Sequence, residues 1–306
     1  ERIVTGSNLS DRPYIQTLAD DDFSTPEFLF NSVTFLEKNL EFAVSAGINC
    51  ALYVQNNSCY GPIEKWEFSE NSQEGRTEET AAARIGAFDF SPRLSLDWSF
   101  HRRENWDYMG KAMMESVESV LDTAETTDTK VTANSLFCMY GIICDHIGLA
   151  MGKMHWEPHV QMVRHFHEEN LGGILNNVHK VDWTDSVVAE NWPVVIKPFI
   201  NNLAAALIDK EHIDKQLSIK IAEGALALRV GARLLYLGQK RLSQNGADAS
   251  DMRHIESDFL RRARKIEPLK KVVRKLRKMG ASFDKAENYK NYPELVEIEK
   301  FLLDSK

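Results

Sequence analysis

The sequence predicts a mostly α protein, a multi-helix, bundle-like body with at most a small β element near the N-terminus. Three observations lead there. From Asn105 onward apolar residues recur at three- and four-residue steps with few interruptions, the stripe of amphipathic helices. Strand-like alternation is confined to short pieces before residue 70. Composition is ordinary, with 43% hydrophobic and 27% charged residues over 306 positions, enough for a packed core without disulfides or metals.

Residues 1–23 are polar, carry the acidic run Asp20, Asp21, Asp22, and read as an arm or loop. Thr25-Pro26-Glu27 then opens a helix: Thr25 suits the cap, Pro26 the first turn and Glu27 the positive end of the dipole. Phe28, Val33, Leu36, Leu40 and Ala43 give its apolar face, and Gly47 is the expected stop. Residues 50–54 fit a short strand that residues 63–68 could pair with, and the polar stretch 69–79 reads as a loop. Short apolar pieces, 80–90 and 94–100, flank Pro92.

Trp106, Met109, Met113, Val117, Val120 and Leu121 mark the first long helix. Residues 131–151 make a second, near membrane-spanning length but interrupted by Asn134, Asp145 and His146, so a buried helix is expected. Residues 158–171 are expected as a third helix, stopped by Gly172-Gly173. Residues 185–209 follow with bends at Pro193 and Pro198. Residues 217–242 form a long apolar helix ending at Asn245-Gly246, and residues 293–303 close the chain as a short helix. The expected division is an N-terminal arm and small subdomain over 1–79, a helical body over 80–249, and a basic helix with its closing helix over 250–306.

Charge is the most informative feature. The chain carries a net −8, yet residues 261–278 hold ten Lys or Arg and one acid, Glu267. That stretch is nine positive charges net, which leaves about −17 on the remainder. Arg261, Arg262, Arg264, Lys265, Lys270, Lys271, Arg274, Lys275, Arg277 and Lys278 are therefore the candidate anion-binding residues. Pro268 divides the cationic face into two short surfaces. Aromatics for base stacking are scarce around it, so nucleic-acid contact there would be directed at the phosphate backbone and be salt-dependent. Arg102, Arg103, Lys240 and Arg241 could extend the same patch. An acidic face of the same chain or of a neighbouring copy is the rival partner.

Gly224, Gly231 and Gly238, at seven-residue spacing, leave a small-residue stripe suited to close helix packing. Six of nine histidines (His146, His155, His159, His165, His167, His179) fall in the middle third, so a metal site is the alternative. On one helix at about 100° per residue, His159, His165 and His167 cannot converge. The best local pair would be His165 with Glu169, completed by His146 or His155. Glu115, Glu118 and Asp122 lie opposite their helix's apolar face and read as solvated. No Walker loop, dinucleotide fingerprint, His-Glu-x-x-His or Gly-x-Ser-x-Gly occurs. Four cysteines in a chain this long imply a reducing, cytoplasmic setting rather than a disulfide framework.

The expected function is a non-enzymatic helical assembly protein, in homo-oligomers and without cofactor or membrane, that binds an anionic partner through residues 261–278. The partner would be nucleic-acid phosphate, as in coat-like or nucleoprotein packaging of RNA, or an acidic protein surface. The alternative is a metal-dependent helical-bundle enzyme using the His-rich stretch 146–169.

Overall fold

The computed structural model describes residues 12–18, 22–55, 61–68, 74–88, 96–121, 129–166, 192–245 and 261. Within them the fold is a mixed α/β one, not an all-α helical bundle. Five strands form one sheet: β1 (Tyr14–Ile15), β2 (Phe42–Val54), β3 (Ile63–Phe68), β4 (Phe100–Arg102) and β5 (Lys153–Phe166). Six helices accompany it: α1 (Pro26–Lys38), α2 (Ala81–Phe88), α3 (Arg103–Leu121), α4 (Thr129–Met151), α5 (Trp192–Glu211) and α6 (Lys215–Asn245).

β2 is the centre of the sheet. One side pairs with β5 in parallel along nearly its whole length; the other pairs with β4 near its start and β3 near its end, both antiparallel. Both expected elements at its start are thereby corrected. The first helix stops at Lys38 rather than Gly47, and the strand begins at Phe42 rather than Cys50. The physical stop is a set of caps. Asn39 donates from Nδ2 to the Phe35 carbonyl at 2.7 Å, and Arg102 donates to the carbonyls of Leu36, Asn39 and Phe42 at 2.5, 3.2 and 2.7 Å. The opening of α1 is as expected, with Pro26 in the first turn and Thr25 Oγ1 accepting from the Phe28 amide.

The third expected helix is the larger correction. Residues 153–166 form β5, paired with β2 along its length, so Met154, Val160 and Met162 are buried on a strand, not on a helix. Ala46 pairs with Trp156 and Ile48 with Val160, so three residues, Glu157, Pro158 and His159, oppose Gly47 alone. This bulge accommodates Pro158, which lacks a ladder donor. The outer edge of β5 is covered by side and main chain. Phe23 and Arg76 each exchange two backbone hydrogen bonds with it, at Val163 and Met154, while Ser24 and Thr25 hydroxyls donate to the Gln161 and Val160 carbonyls.

Alternation along β2 divides the packing into layers. On one face Ser45 meets Ser32 of α1 at 2.9 Å, and the Phe28 ring lies so close over Gly47 that a Cβ there would sit 2.9 Å from it. On the opposite face Val44 touches α4 at Gly148. The main core joins Val44, Ala46 and Met154 of the sheet to Ile85 and Phe88 of α2, Trp106 and Met109 of α3, Ile143 and Ile147 of α4, Phe199 and Leu203 of α5, and Ala222 and Leu226 of α6. α5 runs unbroken through Pro198 and ends at His212, whose amide donates to the Ile208 carbonyl at 3.0 Å and whose φ of 54° turns the chain out of the helix. Asp214 Oδ1 then caps α6 through the amides of Gln216 and Leu217. Gly224 and Gly231 are buried within α6. No helix among the described residues is long and apolar enough to cross a membrane.

Candidate interaction face

α1 covers only the half of the sheet near the start of β2. Beyond its N-terminus the same face continues with Asn49, Ala51 and Tyr53, none of them fully buried. The register sets Arg164 of β5 and Glu67 of β3 beside Ala51, and Lys65 of β3 beside Tyr53. These side chains therefore share a face with Ala51 and Tyr53. Their contacts form a row across the strands. Arg164 lies over the Trp98 ring at 5.3 Å and Lys65 over the Tyr53 ring at 5.4 Å. Glu67 Oε2 accepts from the Tyr53 hydroxyl at 3.1 Å and from Lys65 Nζ at 3.2 Å. Burial, then Glu67, pushes the Tyr53 hydroxyl up to about 12 against the opposing pull of Arg164. The opposite face of these strands is apolar, with Cys50, Leu52 and Val163 buried under Trp66 and Phe68.

Trp98 is held in place from behind. Its carbonyl accepts from Gln16 Nε2 at 2.8 Å, and the neighbouring Asp97 carbonyl accepts from Thr17 Oγ1 at 2.6 Å. Two cations and two rings thus come together at this face of the sheet, Trp98 from the turn that leads into β4. That arrangement offers charge for an anion and flat π surface for a planar group.

The sequence-derived candidates fare differently. Of the ten basic residues, only Arg261 lies among the described residues, where it is exposed. Arg262, Arg264, Lys265, Lys270, Lys271, Arg274, Lys275, Arg277 and Lys278 lie outside the described residues, as do residues 1–11 and 19–21 of the expected arm at 1–23, Glu169, His167, His179, Asp122 and the closing helix expected at 293–303. Two proposed extensions of the patch are engaged internally: Arg102 caps α1, and Arg103 pairs with Asp107 at 3.1 Å.

The metal alternative is not assembled. His146 is buried on α4 against Phe199 of α5 at 5.7 Å. His155 stacks on Phe35 of α1 at 3.6 Å, across the sheet. His165 sits beside Leu52, on the face of the sheet away from α1 and near the far end of β5. Among the described residues no group of three or more His, Cys, Asp or Glu side chains is placed to hold a metal ion. Glu115 is not simply solvated, for its Oε2 accepts from Asn202 of α5 at 2.6 Å. Burial pushes the thiols of Cys50 and Cys144 upward, which leaves neither as a thiolate nucleophile.

Trp98, Tyr53, Lys65 and Arg164 escaped the sequence reading because the last lies in a stretch with helix-like spacing. The usable signal was Tyr53 and Lys65 flanking a short connection between two strand-like runs. The described fold is not the all-α body expected of a coat-like or nucleoprotein packaging role, and it gives that role no support. Neither a known protein family nor a curated protein matches the chain.

Proposed function

We propose that the protein is a non-enzymatic interaction protein that binds an anionic partner, with nucleic-acid phosphate on a single strand as the preferred form. The observation that supports this is the row Trp98–Arg164 and Tyr53–Lys65 on the sheet face that α1 leaves open. A single strand presents phosphates and unpaired rings together. Ring–ring stacking tolerates any base, and the cations meet the backbone. The basic stretch 261–278 would add phosphate contacts and raise the salt dependence without reading sequence.

The two contributions separate in a titration of a labelled single-stranded oligonucleotide at about 50 and about 200 mM salt. Trp98→Ala and Tyr53→Ala should each weaken binding by about 1–3 kcal/mol with the salt slope kept. Neutralising Lys270, Lys271, Arg274 and Lys275 should instead flatten the slope. Absence of binding at the lower salt would overturn the proposal. Full affinity in the Trp98→Ala, Tyr53→Ala double variant would remove the sheet face from it.

A further inference from the structure

A carboxylate stands inside the cationic row on the open sheet face. Glu67 of β3 lies on one side of Ala51 and Arg164 of β5 on the other. Their backbones are two strand spacings apart, about 10 Å. Ala51 contributes only a methyl group between them, so the central strand leaves a gap there that one planar group can enter. Tyr53, two residues further along β2, shares that face and walls one end of the gap.

Glu67 is held in position by its neighbours. Its Oε2 accepts from the Tyr53 hydroxyl at 3.1 Å and from Lys65 Nζ at 3.2 Å. Oε1 makes no hydrogen bond among the described residues, and the side chain is 54% exposed. A carboxylate here repels phosphate, so backbone binding alone gives no reason for it. What it adds to the row is an acceptor for N–H groups. Arg164 is the complement, a planar fork of N–H donors.

Base chemistry decides which ring suits an acceptor on one side and a donor fork on the other. Guanine carries two acceptors, O6 and N7, on one edge, and two donors, N1–H and the N2 amine, on another. Adenine and cytosine have one amine flanked by acceptors, and thymine and uracil have one N–H between two carbonyls. Only guanine matches both sides.

We infer that the gap over Ala51 is a guanine subsite, in which Arg164 donates to O6 and N7 and Glu67 Oε1 accepts from the N1–H and N2 donor edge. The inference rests on the single-strand reading above and adds a base preference to it. Stacking on the rings still accepts any base elsewhere on the strand.

Fluorescence anisotropy of the full chain with labelled strands of about twelve nucleotides tests this. Oligothymidine is compared with the same strand carrying one central guanine. The guanine should tighten binding roughly tenfold, the scale of discrimination that a bidentate base contact supplies. Inosine at that position, which lacks the N2 amine, should lower the gain. Glu67→Ala should bring the ratio of the two affinities close to one, and the ratio is insensitive to any change in general phosphate attraction. Equal affinity of the natural protein for both strands would overturn the guanine subsite alone, since binding of oligothymidine keeps the single-strand reading. Failure of both strands to bind would overturn the subsite and that reading together. A guanine preference that survives intact in Glu67→Ala would also overturn the subsite.

Discussion

Asp145 and Arg229 form a buried ion pair, with Arg229 Nη2 2.6 Å from Asp145 Oδ2 between α4 and α6. Asp145 is fully buried, and its other oxygen accepts from the Leu96 amide at 2.5 Å. Arg229 lies over the Phe88 ring of α2 at 5.6 Å. One carboxylate thus joins two helices and the segment leading into β4. Breaking one side leaves a charge in the core, which typically costs 3–5 kcal/mol. Asp145→Ala should therefore lower unfolding stability by about that amount. Asp145→Leu with Arg229→Met should recover much of it, because neither charge then remains. Chemical denaturation of the three proteins checks this. A double variant no more stable than Asp145→Ala would show that the pair acts through more than charge compensation.

His101 makes acid a specific weakness. It is fully buried, and burial drives its pKa down from 6.5 to about 4, although Nε2 bonded to the Leu96 carbonyl at 2.6 Å opposes the shift. The folded ring resists a proton that the unfolded ring accepts at about 6.5. Its contribution is therefore intact above pH 6.5, is lost progressively as pH falls towards 4, and does not change below. The whole span corresponds to about 3 kcal/mol. His155 has the same sign, because burial lowers its pKa ahead of the opposing pull of Glu157. Between pH 6.5 and 5, His101→Gln should flatten the fall in unfolding free energy by about 1 kcal/mol per pH unit. Parallel slopes in the two proteins would show that another group carries the acid sensitivity.

Legibility followed locality. The opening of α1 could be read because Thr25, Pro26 and Glu27 carry their signal within three residues. The long helix expected over 217–242, α6, could be read from its sustained period. β2 and β5 could not. β2 is buried on both faces over Ala43–Ile48, and two register shifts break β5 around Val160, so neither stretch shows the clean alternation of a half-exposed strand. Their parallel pairing links residues more than a hundred positions apart, and nothing local announces it. The open face shows the same limit. Arg164 acquires meaning only when β5 lies beside β2 and within reach of Trp98. The basic stretch at 261–278 was the loudest sequence signal, yet the described fold is organised around the strand it does not include.

Arg102 decides where the first helix gives way to the central strand. One guanidinium serves the carbonyls of Leu36 and Asn39 at the end of α1 and Phe42 at the start of β2, and it lies over the Tyr14 ring at 5.8 Å. These carbonyls are the orphans that any helix end leaves behind. Fork geometry is essential, because Nε and Nη2 reach different acceptors and an ammonium cannot span them. Arg102→Leu should cost about 2 kcal/mol, since hydrogen bonds from a charged donor to half-buried carbonyls are lost together. Arg102→Lys should recover only a minor part. Thermal unfolding of both variants checks the size, and amide exchange at Leu36–Phe42 checks the place. If Arg102→Lys were as stable as the natural protein, the cap would depend on charge alone and the fork would be irrelevant.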